Sequence, residues 1–588
     1  MIDLQQLKVS VLHYSEGIFK SRIISVYIPL AIMLVAVANY YWPVLKYNVN
    51  VPCSDDYGVA LQFLNDFTVE NSFWGKISIL FRQHVDHRVM FPRLAVLMDF
   101  YIQGKVNFYS LVIFGNLGLL GIAAILFISS PKVSGKLLLF SPVVLLLFQL
   151  QHWENSGFPT ASIQSFYVIF FSFTSLYLLN QNTRSSLALA CLLFFMAVFT
   201  SGNGMFCILP GAFIVFNQRR FAALGIWMVT FVSSVSFYFF QYANQSSGRL
   251  LQVMEKPLEM LTTFFVAIGG FINFSKAWEP IGTGYPLSIA FGVLITIFFL
   301  YLTFSKYYLR APVLYSFLFF LMITGAAMAV SRASQYSANE LSTISRYKIV
   351  SLCSIAASYL ILIDIWPGMT LLKALVFIPL AYNYHNTANK KNIEIYIAHT
   401  DRLVQSSWAV HSNNDYSKLV DWNPTLSAQE LIESQEKGIY ILPDLTDEYL
   451  RRAPQAKELI YDSWASVIPA DSTVKYEFTL QPTKKGDVYG IRRGWALAKM
   501  KTTKRNIFVL KSGSKSYFFS ISVDYRDDLS AMMNQQNPED KTNYSESGFN
   551  FSLKTDQLDK GEYKAGIVME TWDNFRFYIP AQSKVIVK

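Results

Sequence analysis

The chain has 588 residues, of which 52% are hydrophobic, 16% aromatic and only 15% charged, with a mean hydropathy of +0.29. A soluble domain carries about 25% charge, so disorder, a coiled coil, a collagen-like fibre and a disulfide-stapled small domain are excluded, and much of the chain does not face water. Residues 1–389 hold 23 Lys and Arg against 14 Asp and Glu, whereas residues 390–588 hold 27 against 26. A basic excess between apolar runs belongs to membrane loops and is not a nucleic-acid footprint. The composition describes a polytopic membrane protein, mainly α, with a soluble C-terminal region.

A spanning helix needs about 20 apolar residues. The runs near 23–43, 107–128, 137–150, 161–179, 185–200, 205–217, 221–240, 287–304, 312–330, 349–365 and 370–384 predict eleven crossings. The run 259–274, broken by Gly269 and Gly270, predicts an interfacial or re-entrant piece. The first run ends in Tyr40, Tyr41 and Trp42, an interfacial belt, and reads as a retained helix rather than a cleaved leader. Lys8, Lys20 and Arg22, Lys132 and Lys136, Arg184, Arg219 and Arg220, and Lys306 and Arg310 then fall on one side, the cytoplasmic one by the positive-inside rule. The opposite loops and the tail after about residue 386 are expected outside. Cys191, Cys207 and Cys353 lie in apolar runs and Cys53 in a polar loop, so the cysteines form no disulfide framework.

Three domains follow: a membrane domain over 1–385, a mixed α/β segment over 386–490 and a small β-sandwich over 491–588. In the middle segment Thr425 and Ser427 open a helix that runs to Glu436 and stops at Gly438, with a strand over 439–442. From about Gly494 the pattern alternates, predicting strands over 506–511, 517–525, 548–553, 563–569 and 575–579, with turns at Ser512-Gly513 and Lys560-Gly561.

Eleven of the 14 acidic residues before 390 fall on or near the outer side, the exceptions being Asp3, Glu16 and Asp364. The outer loops are also the long ones, and function concentrates on loops held by a rigid scaffold. The first, about 44–106, holds Asp55 and Asp56, then His84, Asp86, His87 and Arg88, then Pro92-Arg93. Adjacent carboxylates raise each other's pKa, and one so placed can take a proton from a hydroxyl. The histidines with these aspartates also suit a metal, although His-x-x-His is a weak signal. Later outer loops carry His152, Glu154 and Asn155, then Gly202, Asn203 and Gly204, then Arg332, Arg346, Tyr347 and Lys348. The last loop is a cationic group at the membrane boundary, where arginine's planar fork matches phosphate oxygens. There is no Walker sequence, dinucleotide fingerprint or hydrolase elbow.

Asp-Asp just after the first helix, many further helices and a soluble outer tail resemble the C-type glycosyltransferase superfamily (GT-C). His84 to Arg88 with Pro92-Arg93-Leu94, Gln151 to Asn155, Gly202-Asn203-Gly204 and Ser345-Arg346-Tyr347 resemble, more narrowly, bacterial O-antigen-modifying, serotype-converting glucosyltransferases. The resemblance covers about residues 20–385. It implies an inverting transfer of a sugar, glucose above all, from a polyprenyl-phosphate donor to a cell-surface polysaccharide at the periplasmic face of the inner membrane, with a companion glycosyltransferase and a flippase supplying the donor. Asp55 or Asp56 would be the base, with Asp86 as the other candidate. Arg346, Arg332, Lys348 and Arg88 would hold the donor phosphate. His84, His87, Arg93, His152, Glu154, Asn155, Asn203 and Tyr347 would bind substrate. No cofactor and no resident metal are expected, a monophosphate donor not requiring a divalent ion. A transporter, flippase or polymerase of lipid-linked sugars is the rival reading. A transporter predicts inverted repeats and ionisable residues at mid-membrane, and the sequence offers neither beyond Asp364.

Overall fold

The computed structural model of the protein describes residues 22–243, 256–275, 282–459, 466–513 and 515–588; Asp3, Lys8, Glu16 and Lys20 lie outside the described residues. The chain forms two compact units, Met1–Thr400 with Leu419–Leu442, and Asp401–Lys418 with Pro443–Lys588.

In the first unit eight helices among the described residues are long and apolar enough to cross a membrane: Ile23–Tyr47, Phe108–Ser129, Lys136–Gly157, Pro159–Asn180, Phe221–Phe239, Gly284–Phe304, Pro312–Arg332 and Ser345–Ile365. The expectation of eleven crossings is therefore corrected. The run 185–200 is a helix of 15 residues, Arg184–Val198, only about 22 Å at 1.5 Å per residue against a hydrocarbon core of about 30 Å. The run 205–217 splits into a 3-10 turn, Gly202–Cys207, and a helix of 10 residues, Ile208–Asn217. The run 370–384 opens a helix of 44 residues, Thr370–Asn413, that turns polar from Asn383 onward. The stretch 259–274 forms the short apolar helix Pro257–Gly269 and a 3-10 turn, Gly270–Ile272. The chain is a membrane-embedded, mainly helical protein with a C-terminal strand-rich region.

Burial separates inner from outer helices. Lys136–Gly157 and Ser345–Ile365 are 83% and 78% buried over their apolar windows, whereas Ile23–Tyr47 is 17% buried and leaves most of its surface for lipid. Lipid is as apolar as leucine, so helices associate through close packing and internal hydrogen bonds. Phe108–Ser129 meets Pro159–Asn180 through Gly115 and Gly118, where an added Cβ would collide with Ser162 Oγ and lie 2.9 Å from Phe166 Cβ, respectively. Beside that seam the buried Tyr40 hydroxyl donates to Asn116 Oδ1 at 2.5 Å and lies 2.9 Å from Ser156 Oγ.

After Thr400 the chain passes into the second unit, and Leu419–Leu442 returns to the first. It carries the expected helix, Pro424–Glu436. Residues 439–442 form no strand among the described residues: Ile439 sits in a bend, and its carbonyl accepts from Val106 N at 2.9 Å. The loop after the first span contributes a hairpin, β1 (Gln83–His84) and β2 (His87–Arg88).

The second unit holds two sheets. One runs β10 (Ser522–Asp524), β11 (Gly548–Lys554), β7 (Val488–Ala498) and β5 (Val474–Glu477), with β6 (Gln481–Pro482) also beside β7. The other runs β3 (Lys457–Leu459), β9 (Lys515–Ser520), β8 (Thr503–Ser512), β12 (Gly561–Thr571), β13 (Arg576–Val587) and β4 (Val467–Pro469). Ile491, Phe549 and Phe551 from the first sheet share one core with Phe508, Leu510, Ile567, Met569 and Ile579 from the second. The strands expected after 494 are present, but the sheets begin at Lys457, ahead of residue 491. The edge strands β3 and β4 have three residues each and are largely exposed, too short to show an alternation.

The glycine seam gives a direct test. Gly115→Ala is expected to destabilise by about 1–3 kcal/mol and to lower the apparent Tm in detergent, because the added methyl meets Ser162. Gly225→Ala, with nothing within 4 Å, is expected to leave it unchanged.

Candidate functional site

The first span ends at Tyr47 and the chain turns sharply at Ser54, whose φ is +48°. Ser54 N donates to the Val420 carbonyl at 2.8 Å, so the returning segment holds a backbone conformation that a non-glycine residue rarely adopts. The sequence alone does not separate Asp55 from Asp56; here their side chains diverge. Asp56 is 1% exposed. Its Oδ2 accepts from Cys53 N at 3.1 Å, and its Oδ1 accepts from Thr160 N at 3.0 Å and Thr160 Oγ1 at 2.7 Å. Burial outweighs these bonds and pushes its carboxyl up to about 6. Asp55 lines a cavity of about 500 Å³ and sits 3.3 Å from His84 Nε2 through Oδ1. Burial tends to raise its carboxyl too, but the His84 bond, the His84 charge and the Arg346 charge hold it below the usual carboxylate range. Asp55 is therefore ionised at neutral pH.

His84, Asp86 and His87 line the same cavity. The β1–β2 hairpin sets His84 opposite His87, with Val85 at its tip at φ +48°. A β-branched residue in that region is an outlier of the kind that clusters at functional sites. The His84 ring fits because position 58 is glycine: a Cβ there would lie 2.6 Å from His84 Cε1. Burial, then the Arg332 charge, lowers the His87 pKa to about 4, so its ring is neutral at pH 7. Its Nδ1 is buried with no hydrogen-bond partner among the described residues.

Arg88 and Arg93, expected at the phosphate and the substrate, do not line the cavity. Arg88 donates to the carbonyls of Tyr238 at 2.6 Å, Phe81 at 2.5 Å and Phe240. Arg93 is 1% exposed and donates to the carbonyls of Ile79 and Leu80, both at 3.2 Å, and Arg82 at 2.5 Å. Both guanidinium groups brace the hairpin from behind.

The later loops divide in the same way. Arg332, Arg346, Tyr347 and Asn203 line the cavity. The Arg346 guanidinium rests 5.5 Å from the Tyr347 ring centroid, and Arg332 donates to Gln335 Oε1 at 2.8 Å. Glu154 and Asn155 stand behind them. Glu154 Oε2 accepts from Ser345 Oγ at 2.5 Å and Arg346 N at 3.0 Å, and Asn155 Nδ2 donates to the Arg346 carbonyl at 2.9 Å. Lys348 is buried, its Nζ donating to the carbonyls of Gly270 at 2.6 Å and Asn273 at 2.8 Å. His152 is wholly buried with its Nε2 2.9 Å from the Leu147 carbonyl. Neither Lys348 nor His152 reaches the cavity.

Thr160, Gln164, Tyr238 and Tyr242 also line the cavity and carry no sequence motif. The two tyrosines are four residues apart, and the Tyr242 hydroxyl donates to the Asp86 carbonyl at 3.0 Å. In sequence they merge into an aromatic run that reads as core; their i, i+4 spacing at the C-terminal end of a span is the signal. The apolar wall comes from Val168, Ile169, Met328, Ile349 and Val350, all on spanning helices.

The loop after the first span, Thr160–Ile169, Ser201–Phe206, Tyr238–Tyr242 and Thr324–Val350 thus contribute to one cavity that can hold an anion against Arg332 and Arg346, offer a carboxylate base at Asp55, and lodge an apolar chain. Among the described residues no group of three His, Cys, Asp or Glu side chains is arranged to hold a metal ion. Compared with known proteins, the chain matches no family model, no curated protein and no solved structure.

Asp56 carries a pH signature. Its folded pKa, about 6, lies above its ordinary value of 3.8, so the folded state binds the proton more tightly and stability falls as pH rises from 4 to 6, by up to about 3 kcal/mol. His87, lowered to about 4, titrates with the opposite sign over that range, so the difference between wild type and Asp56→Asn is the quantity to measure. In thermal melts from pH 4 to 7, Asp56→Asn is expected to gain relative to wild type as pH rises; parallel profiles would refute the assignment.

Proposed function

We propose that the chain is an inverting glycosyltransferase of the GT-C type that moves a sugar from a polyprenyl-phosphate donor to a surface polysaccharide such as O-antigen. In this reading it sits in a bacterial inner membrane with its N-terminus cytoplasmic and its second unit periplasmic. A companion glycosyltransferase makes the donor and a flippase brings it across. The observation that carries the reading is the single cavity in which an ionised Asp55 and the guanidinium groups of Arg332 and Arg346 meet beside an apolar wall.

Arg332 closes the span Pro312–Arg332 and Arg346 opens the span Ser345–Ile365, so a phosphate between them lies at the membrane boundary with its lipid tail along those helices. The sugar then extends toward Asn203, His87 and Asp86. The acceptor oxygen attacks the anomeric carbon from the face opposite the phosphate and passes its proton to Asp55. The carbon–oxygen bond to the phosphate breaks with its electron pair, and the two arginines neutralise the charge that grows there. Attack opposite the leaving group inverts the anomeric centre. Neutral His87, with an unoccupied Nδ1, suits a sugar hydroxyl.

Protein purified in detergent and given undecaprenyl-phosphate glucose with a surface-glycan acceptor is expected to transfer glucose with inversion, unaffected by chelator. Arg346→Ala is expected to lower kcat/KM by about 10²–10³, the cost of losing one donor to a developing anion. No transfer from any polyprenyl-phosphate hexose, or full activity in Arg346→Ala, would overturn the reading. His84→Ala removes both the hydrogen bond and the charge by which His84 holds the Asp55 carboxyl down, so the acid limb of its rate profile is expected to move to higher pH; an unmoved limb counts against Asp55 as the base.

A further inference from the structure

The second unit contains a groove of about 390 Å³ that the transfer reaction does not use. Its construction begins with an irregularity in β7. Gly494 pairs with Phe549 and Ile491 with Phe551, so three steps of β7 match two of β11 and one residue is extra. The extra residue falls at Arg492–Arg493 in the chain. Arg493 has a φ of +51°, held by its N–H donating to Asn550 Oδ1 at 2.6 Å. On a regular strand consecutive side chains point to opposite faces; here Arg492 and Arg493 both line the groove. A bulge that re-aims a side chain, held in a strained conformation, is a feature of binding sites.

The aromatic groups are fixed as firmly. Arg492 lies 4.3 Å from the Tyr449 ring centroid, and Tyr449 stacks on Trp408 at 4.4 Å and 16°. Trp408 Nε1 donates to Gln481 Oε1 at 3.4 Å, and Trp495 Nε1 donates to Glu477 Oε2 at 3.2 Å. Both indoles line the groove, as do Asp415 and Lys418. Arg526, also in the lining, forks onto Asp528 at 2.7 and 2.6 Å and donates to the Arg493 carbonyl at 3.2 Å.

We propose that this groove binds a short stretch of neutral glycan chain. Flat indole faces match the C–H faces of sugar rings. Each sugar hydroxyl both donates and accepts, and the lining interleaves donors (Arg492, Arg493, Lys418) with acceptors (Asp415, Glu477, Gln481). A bare anion would meet Asp415, Glu477 and Asp528, and an apolar ligand would strip water from charged groups without replacing its hydrogen bonds. The proposal goes beyond the transferase reading and stands whether or not the first unit transfers sugar.

The full-length protein in detergent would be titrated with maltohexaose, cellohexaose, mannohexaose and a rhamnan hexasaccharide, and separately with inorganic phosphate, by calorimetry and indole fluorescence. At least one hexasaccharide is expected to bind saturably with a Kd of about 1 mM or tighter and to change the fluorescence, with phosphate failing to displace it. Arg493→Gly keeps the left-handed backbone and removes the side chain; it and Trp495→Ala are each expected to weaken binding about tenfold or more. The proposal is overturned if no hexasaccharide binds, if phosphate displaces the sugar, or if either variant binds at wild-type affinity.

Discussion

Asp56 ties two distant pieces of chain together: the turn that follows the first span and the start of helix Pro159–Asn180, where Thr160 donates to it from both backbone and side chain. A buried carboxylate is costly unless it is hydrogen-bonded, and here the bonds come from the groups that must be brought into register. Once Asp56 is turned inward, Asp55 is left on the cavity side. Thr160, fixed by the same bonds, lines that cavity as well. The division between a buried carboxylate and one that faces the cavity is thus a consequence of one packed turn.

The rest of the site is built by similar supporting contacts. Leu419–Leu442 comes back to brace the loop that follows the first span. Val420 holds Ser54, Ser434 donates to Asn65 Oδ1 at 2.9 Å, Lys437 donates to the Asn65 carbonyl at 2.8 Å, and Tyr440 donates to the Asn50 carbonyl at 2.7 Å. On the cationic side Glu154 and Asn155 grip Ser345 and the backbone of Arg346, leaving the Arg346 side chain for the cavity. Arg88, Arg93 and Lys348 donate to backbone carbonyls at the ends of helices and turns. A site that handles charge beside lipid needs such fixed dipoles and anchors, because water cannot be relied on to reorganise there.

The long spans were legible in the sequence because an apolar run of about 20 residues is seldom anything but a membrane crossing. The shorter runs were not, since an apolar stretch of about 15 reads alike in a buried helix and a crossing, and 185–200, 205–217 and 370–384 fell on that ambiguity. The loop after the first span, the 201–203 turn and the Arg346 loop stood out as polar residues among apolar ones, and all three reach the cavity. What sequence could not separate was a cation facing the cavity from one saturated by carbonyls. Arg88 and Arg346 look equivalent until their acceptors are known. The clamp at Leu419–Leu442 was hidden by its composition: it is polar and lies beyond the last span, so it resembles the second unit while its contacts belong to the first.

The most direct test of the account is the rate of sugar transfer from undecaprenyl-phosphate glucose by Asp55→Asn, set beside Asp56→Asn at equal amounts of folded protein. The account predicts that Asp55→Asn loses about 10²–10⁴ of the rate, the range of a general base, while Asp56→Asn keeps most of it. Transfer at the wild-type rate by Asp55→Asn would contradict it.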